Sequence, residues 1–288
     1  MLLTVPNVSE GADGSVLDQL VAATRPLRLL DLHSDPDHGR SVLTLGGEQR
    51  EVASALARLA AKAAELIDIS AHAGHHPHVG ALDVAPVVYL DDARRGAACA
   101  EALTAGALIA ADAGVPVLLY GQLATGADRV ERAALRAGGP GALGRRLEAG
   151  ELHPDYGPPR LHPTAGATLV TARPPLVAFN VDLATDDLEL ATRIAAQLRE
   201  SGGGPPGVRA IGLPLPARGR AQVSFNVHDH RAAPLRDLVE AVRAEAPVAE
   251  AELVGLAPAA AFQGFPADVP LRGFDPERHL IENALRSL

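Results

Sequence analysis

From Leu176 to Pro258 the chain alternates short two-faced strands with amphipathic helices in an order that few folds accommodate. "LVAFNVDLA" sets Phe179, Val181 and Leu183 against Ala178, Asn180 and Asp182, the period of a strand with unlike faces. "DDLELATRIAAQLRE" places Leu190, Ala191, Ile194 and Leu198 on one helical stripe, and the spacing of Asp186 to Glu189 resembles a capping box. The tract "SGGGPPG" ends that helix. "VRAIGLPLP" and "RAQVSFNVHD" read as two strands joined by a turn at Arg218 and Gly219. "PLRDLVEAVRAEA" predicts a helix with Leu235, Leu238, Val239 and Val242 inward, and "AEAELVGLAP" a closing strand. The order is β-α-β-β-α-β, the split βαβ or ferredoxin-like arrangement.

The first half repeats this plan. "LLTVPNVS", a helix around "SVLDQLVAATR", "LRLLDLHS" and "RSVLTLGG" give β-α-β-β. "EQREVASALARLAAKAAELID" follows as a helix with Val52, Leu56, Leu59, Ala63 and Leu66 on its buried stripe, and "ALDVAPVVYL" is the next strand. An alanine-rich helix from Asp91 to Ala113 and the strand "VPVLLYG" extend the sheet. The expectation is an α/β (α+β) protein of two ferredoxin-like βαββαβ subdomains, residues 1–174 and 175–288, with their seam near Thr171 to Pro175. In each, one sheet face takes the helices and the other is open. On the second sheet the open face presents Asn180, Asp182, Ser224, Asn226 and His228. Such a face is either solvent-exposed or, where two lobes face each other, the lining of a ligand cleft or tunnel.

Composition narrows the function classes. The net charge of −9 argues against a nucleic-acid-binding surface. No apolar run reads as a membrane span, and "MLLTVPNVSEG" lacks the basic segment and apolar core of a signal peptide, so no membrane association and a cytoplasmic location are expected. Cys99, the single cysteine, reads as buried and inert. Lys62 is the only lysine, so an abundance of arginine reflects base composition and is not in itself a sign of anion sites.

"HAGHHPHVGALDV", His72 to Val84, holds four of the 11 histidines within seven residues, on a loop between a long helix and a strand. Gly74 and Pro77 oppose a regular helix there, which would be needed to converge His72 with His76 or His75 with His78 on a metal. No paired-carboxylate, HExxH or CxxC pattern supports zinc, and no metal is expected. General acid-base work needs one histidine in a suitable environment. Spacing alone leaves that reading open beside a plain histidine-rich loop.

A wider pattern decides between them. "VPNVSEG", "HAGHHPHVGALDV", "VPVLLYG", "PDYGPPRLHPTAGAT", "AFNVDL", "AQVSFN", "ELVGLAP" and "FDPER" occur in an order that resembles the glutamate formimidoyltransferase family, which also forms the N-terminal half of formimidoyltransferase-cyclodeaminase. The likeness runs from about Val5 to Glu282, and these 288 residues are expected to hold no cyclodeaminase half. The resemblance implies transfer of a formimidoyl group from N-formimidoyl-L-glutamate to N5 of tetrahydrofolate, a co-substrate, in histidine breakdown and one-carbon metabolism. It implies small-molecule partners only, and a family that tends to form homodimers.

By the same resemblance His76 is the catalytic histidine and His72 a positioning group, with Asp31 and His33 nearby. The folate-binding stretch falls on Gly157, Pro158, Pro159, Arg160, Leu161, His162, Pro163, Thr164, Ala165 and Gly166, with Asn180 and Asn226 on the second sheet. Arg40 and Arg173 are matched to the donor's two carboxylates, for which arginine's planar fork is suited. The chain departs from the family at His33 (Asp-x-Asp in the animal enzymes), His78 (an arginine), Gln122 (a glutamate) and Ala165 (an aromatic), and after Pro258 it is shortened. Asp35 and Asp37 stand close enough in sequence to replace a lost carboxylate. These departures keep two alternatives open: a non-catalytic folate or small-anion binding protein of the same fold, or a related formyl transferase with a different donor.

Overall fold

A computed structural model describes residues 1–287. The chain folds as two separate units, Met1–Pro174 and Pro175–Leu288.

The first unit contains β1 (Leu2–Thr4), β2 (Asn7–Val8), α1 (Gly14–Ala23), β3 (Arg28–Asp35), β4 (Arg40–Gly47), α2 (Glu51–Leu66), β5 (Leu82–Val88), α3 (Arg95–Ala113), β6 (Val117–Leu119), α4 (Arg132–Arg136), α5 (Gly139–Glu148) and β7 (Thr168–Arg173). β1 and β2 both lie between β4 and β5, so the predicted first strand is present in two pieces. The interruption falls at Pro6, which has no N–H to give the ladder but whose carbonyl accepts from Leu43 N at 3.0 Å. Across the sheet, β5, β1, β4 and β3 run antiparallel in the order of the split βαβ unit. β7 and then β6 extend it in parallel beyond β5. β7 has no counterpart among the strands expected from the sequence. It is buried on both sides and so shows no alternation, as expected of a parallel strand covered on both faces.

Helices α1, α2 and α3 cover one face, where Leu20, Leu45, Leu56, Leu59, Ile109 and Val170 share a core. α4 and α5 cover the other side of β5, β6 and β7 through Leu135, Leu143 and Leu147 against Val84, Leu118 and Leu169. α2 begins without a side-chain cap of its own, and the buried Glu101 on α3 supplies one. Its carboxylate accepts from Arg50 N at 2.5 Å and from Ala53 N at 3.0 Å, satisfying donors that a helix start leaves open. The helical stretch Asp92–Ala113 is, by length and mean hydropathy (1.2), apolar enough to cross a membrane, which corrects the sequence reading of no such run. Its Ala98, Ala102, Ala105 and Ile109 are buried in the sheet-backed core. Cys99, expected to be buried, is only half-buried on this helix.

The second unit contains β8 (Val177–Leu183), α6 (Leu188–Leu198), β9 (Val208–Leu215), β10 (Arg220–Val227), α7 (Leu235–Glu245) and β11 (Val248–Val254). Its four strands are antiparallel in the order β11-β8-β10-β9, so the first and third strands of the motif are neighbours, in keeping with the echo between "AFNVD" and "SFNVH". Phe179 faces Phe225, Val181 faces Val223 and Val177 faces Val227, all in the core under α6 and α7. The cap of α6 differs from expectation by one residue. Asp187 accepts from Leu190 N at 2.9 Å, because the chain enters the helix at Leu188.

On the opposite face of this sheet the polar residues differ in burial. Asn180 and Asp182 are buried, Ser224 and Asn226 are half-buried and His228 is exposed. Asp182 accepts from Gln222 Nε2 at 2.7 Å and pairs with Arg218 at 3.3 Å. Asn180 Nδ2 donates to Glu252 at 3.3 Å, and Arg272 pairs with Glu252 at 2.5 Å. Burial pushes the Glu252 carboxyl up to about 7, and Arg272 opposes that shift.

The observed cap gives a direct check. Asp187→Ala should cost about 1 kcal/mol in denaturant unfolding, and Asp186→Ala only a few tenths. Equal costs would place the cap elsewhere.

Candidate active site

Three backbone segments of the first unit are drawn together with almost no side-chain volume between them. In the β3–β4 turn, Asp35 Oδ1 accepts from His38 N at 3.0 Å, and Gly39 takes a φ of +64°. The histidine loop lies on this turn: His75 N donates to Asp37 O at 3.1 Å and His76 N to His38 O at 3.4 Å. A Cβ on Gly74 would stand 2.3 Å from His38 O, and one on Gly11 2.3 Å from Asp35 O. Glycine is the residue that permits both approaches. Beyond His76 the loop is fixed by Ser9 Oγ to Gly80 O at 2.8 Å and by Val79 N to Asp83 Oδ1 at 2.9 Å.

These contacts create a small hollow whose lining includes Asn7, Ser9, His38, Arg40, His72, His76, His78 and Asp83. His76 is buried, and its Nδ1 lies 2.9 Å from Pro77 O. Arg40 Nη1 lies against both ring nitrogens, 2.8 Å from Nδ1 and closer to Nε2. A carbonyl can only accept, so the Pro77 contact favours the ring proton on Nδ1, with Nε2 the nitrogen that accepts from Arg40 in that tautomer. Arg40 Nη2 donates to Asn7 Oδ1. Burial holds His76 well below the ordinary histidine range, and the cations Arg40 and Arg136 push in the same direction. The ring is therefore neutral at pH 7. Burial also pushes Arg40 down to about 9, which leaves it charged at neutral pH. His72 sits edge-on to His78 at 4.2 Å between ring centres, and burial followed by that neighbour lowers its pKa.

One lining residue, Asp83, belongs to an ion pair that sequence reading missed. Asp83, on β5, binds Arg136 at the end of α4, with both side chains almost fully buried. Arg136 Nε has no hydrogen-bond partner. Burial lowers the pKa of Arg136 and Asp83 opposes this. A clue was available in "ALDVAPVVYL", since a lone carboxylate inside a buried apolar strand requires a cationic or hydrogen-bonding partner.

The other anticipated residues are dispersed. Asp31 and His33 lie on the edge strand β3 opposite Thr44 and Val42 and do not line the hollow. Asp35, considered above as a substitute carboxylate, instead stabilises the turn that supports His76. Arg173 ends β7, half-buried, and donates to Pro174 O at 3.0 Å; burial pushes it down to about 10. Gln122 Nε2 donates to Tyr89 Oη at 2.7 Å, away from the hollow.

The stretch from Gly157 to Gly166 begins and ends in left-handed glycines, with φ of +84° and +68°. Pro159, Arg160 and Pro163 are exposed, and Leu161 packs beside Gly144. His162 Nδ1 accepts from Ala165 N at 3.0 Å and closes a tight turn with Thr164. Ala165 is buried in the core with its carbonyl bound to Ala81 N, so it offers no face on which a ring could stack. Ala167 N donates to Val79 O at 3.0 Å, which joins this stretch directly to the end of the histidine loop. Asn180 and Asn226 belong to the second unit. Among the described residues no three His, Cys, Asp or Glu side chains group as a metal set.

Comparison with known proteins places this geometry in context. Residues 1–173 match the family model described as the formiminotransferase domain, N-terminal subdomain, and residues 178–265 match the formiminotransferase domain. The chain is 38% identical over 294 residues to the glutamate formimidoyltransferase of Streptococcus pyogenes serotype M1, covering 98% of this chain and 97% of the relative. It is 34% identical over 297 residues to the glutamate formimidoyltransferase of Thermoplasma acidophilum, covering 98% and 96%. Identity to the formimidoyltransferase-cyclodeaminase of Sus scrofa is 41% over 273 residues, 88% of this chain but 49% of that one.

The buried neutral histidine has a measurable consequence. Its pKa is depressed in the folded chain, so below about pH 6.5 the unfolded state binds a proton that the native state does not. Its contribution is unchanged above that value and is lost as pH falls toward the folded pKa. Wild type should therefore lose stability between pH 6.5 and 5 more steeply than His76→Gln, by at most about 1.4 kcal/mol per pH unit, in urea melts at each pH. Parallel curves would show that His76 is not held neutral by its surroundings.

Proposed function

Because the chain belongs to the formiminotransferase family, we propose that it moves a formimidoyl group from N-formimidoyl-L-glutamate to N5 of tetrahydrofolate. The observation that carries the reading is a buried imidazole held between the Pro77 carbonyl and the guanidinium of the half-buried Arg40. Transfer requires one proton to leave N5 as it bonds the amidine carbon, and one to reach the glutamate nitrogen as its bond to that carbon breaks. Nε2 of His76 serves both needs in turn, taking the first and returning it for the second.

Arg40 makes this base conditional. Without donor, its charge opposes protonation of His76. A donor carboxylate seated on Arg40 compensates that charge and draws the guanidinium from Nε2, so the imidazole becomes a competent base as the substrate arrives. Arg173 is the second cation proposed for the donor's carboxylates. Tetrahydrofolate is assigned to the stretch between Gly157 and Gly166, whose end glycines pack on Val115 O and Val79 O and so hold Pro159, Arg160 and Pro163 at the surface. The proton transfers described use side chains alone and call for no metal. Small soluble substrates make the cytoplasm the compartment we assign.

His76→Asn should retain the fold and folate binding while kcat for formimidoyl transfer falls roughly 10²–10⁴-fold. The assay follows loss of formimidoylglutamate in the presence of tetrahydrofolate, with folate binding measured by calorimetry. Undiminished turnover would remove His76 from the mechanism, and wild type that binds folate without transfer would favour a binding protein instead.

A further inference from the structure

The donor in this reaction has a cationic end as well as two carboxylates. An amidine is a strong base and is protonated at neutral pH, so its terminal N–C–N group is a planar cation closely similar to a guanidinium. Arginines answer the carboxylates, but something must receive the amidinium beside His76. We propose that Asp83 binds the formamidinium group of the donor and so selects a formimidoyl donor over a neutral formyl one, an inference that rests on the transferase reading above.

Among the described residues Asp83 is the one acidic side chain lining the hollow that holds His76 and Arg40. It is buried and rigidly placed, with Oδ1 fixed by Val79 N at 2.9 Å on the same loop as His76. Its other oxygen already binds a planar N–C–N cation, the guanidinium of Arg136. A carboxylate has about four acceptor positions, and Val79 and Arg136 occupy two. Arg136 therefore keeps its bond while the remaining positions take amidinium N–H groups. The two cations share one anion, and the Arg136 charge prevents Asp83 from repelling the donor's carboxylates.

This contact does chemical work. A neutral amidine carbon is a poor electrophile, whereas in the protonated form the carbon carries much of the charge. Asp83 stabilises the protonated form before attack. When N5 bonds that carbon, the C=N pair retreats onto the terminal nitrogen. When the carbon–glutamate nitrogen bond breaks, with the proton delivered by His76, the C=N⁺ is restored on the transferred group. Asp83 accepts from the same nitrogen at each stage and transfers no proton itself.

The test compares two donors of equal shape and unequal charge, N-formimidoylglutamate and N-formylglutamate. Each is titrated calorimetrically in the presence of oxidised folate, which lacks the N5 nucleophile. Asp83→Asn keeps an acceptor for Val79 N and removes the charge. Its affinity for the formimidoyl compound relative to the formyl compound should fall about 10–100-fold against wild type. An unchanged ratio, with wild type still active in transfer, overturns the proposal and leaves the transferase reading intact. Wild type that transfers nothing overturns both. Should Asp83→Asn fail to fold with Arg136 unpaired, ¹⁵N-labelled donor bound to wild type gives the same decision by NMR. Amidinium N–H protons shifted downfield on binding support the contact, and unshifted ones refute it.

Discussion

A guanidinium against an unprotonated imidazole is the interaction around which the first unit is arranged. In water such a contact has little value, because both groups are better served by solvent. Here the hollow withholds solvent, so the Arg40 guanidinium lies against the His76 ring nitrogens and donates to Asn7, while Nδ1 also meets Pro77 O. The result holds the ring in one orientation and disfavours its charged form. None of this would hold if the two loops stood an ångström further apart, and their separation is set by backbone packed on backbone at Gly39 and Gly74. A methyl group at Gly74 would meet His38 O, the acceptor that anchors the amide of His76.

The two units handle buried charge in different ways. In the second, Asp182 is met by Gln222 and Arg218, and Glu252 by Asn180 and Arg272, so each buried carboxylate has a cation and an amide beside it, while Gln222 Oε1 is left without a hydrogen-bond partner. In the first, Arg136 bonds Asp83 and Arg40 and His76 line the same hollow, and burial lowers the pKa of each of these three bases. Apolar residues of the same volume would cost less. An excess of desolvated positive groups is instead suited to an anionic ligand, since a carboxylate entering the hollow balances charge that Asp83 alone does not.

The second unit was legible because each strand has one apolar and one polar face, so Phe179, Val181 and Phe225 mark their own orientation. The first was legible as far as its βαββαβ core. β7 carries no alternation, since helices cover both its faces, and the cap of α2 comes from Glu101, about fifty positions along the chain and invisible to any local pattern. The site divides in the same way. Loop chemistry pointed to the histidines, and family resemblance singled out His76. Arg136 had no signal of its own in an arginine-rich chain, because its significance lies in a partner 53 residues away. Asp31 and His33 show the converse: adjacent in sequence to the β3–β4 turn, they lie along the edge strand outside the hollow.

The choice of arginine at position 40 follows from the same electrostatics. The hollow depresses any cation placed there, through desolvation first and through Arg136 second. A guanidinium starts high enough that a value of about 9 still leaves it charged at neutral pH. A lysine starts from about 10.4 and, displaced as far, would shed much of its charge near pH 7. It would also offer no fork to span Asn7 and His76 at once. The cation that can hold a neutral histidine in a dry site, and still meet a carboxylate when one arrives, must therefore be one whose charge survives burial. The same requirement accounts for Arg136 beside Asp83, where loss of the positive charge would strand a carboxylate among apolar strands and turn an attractive hollow into a repulsive one.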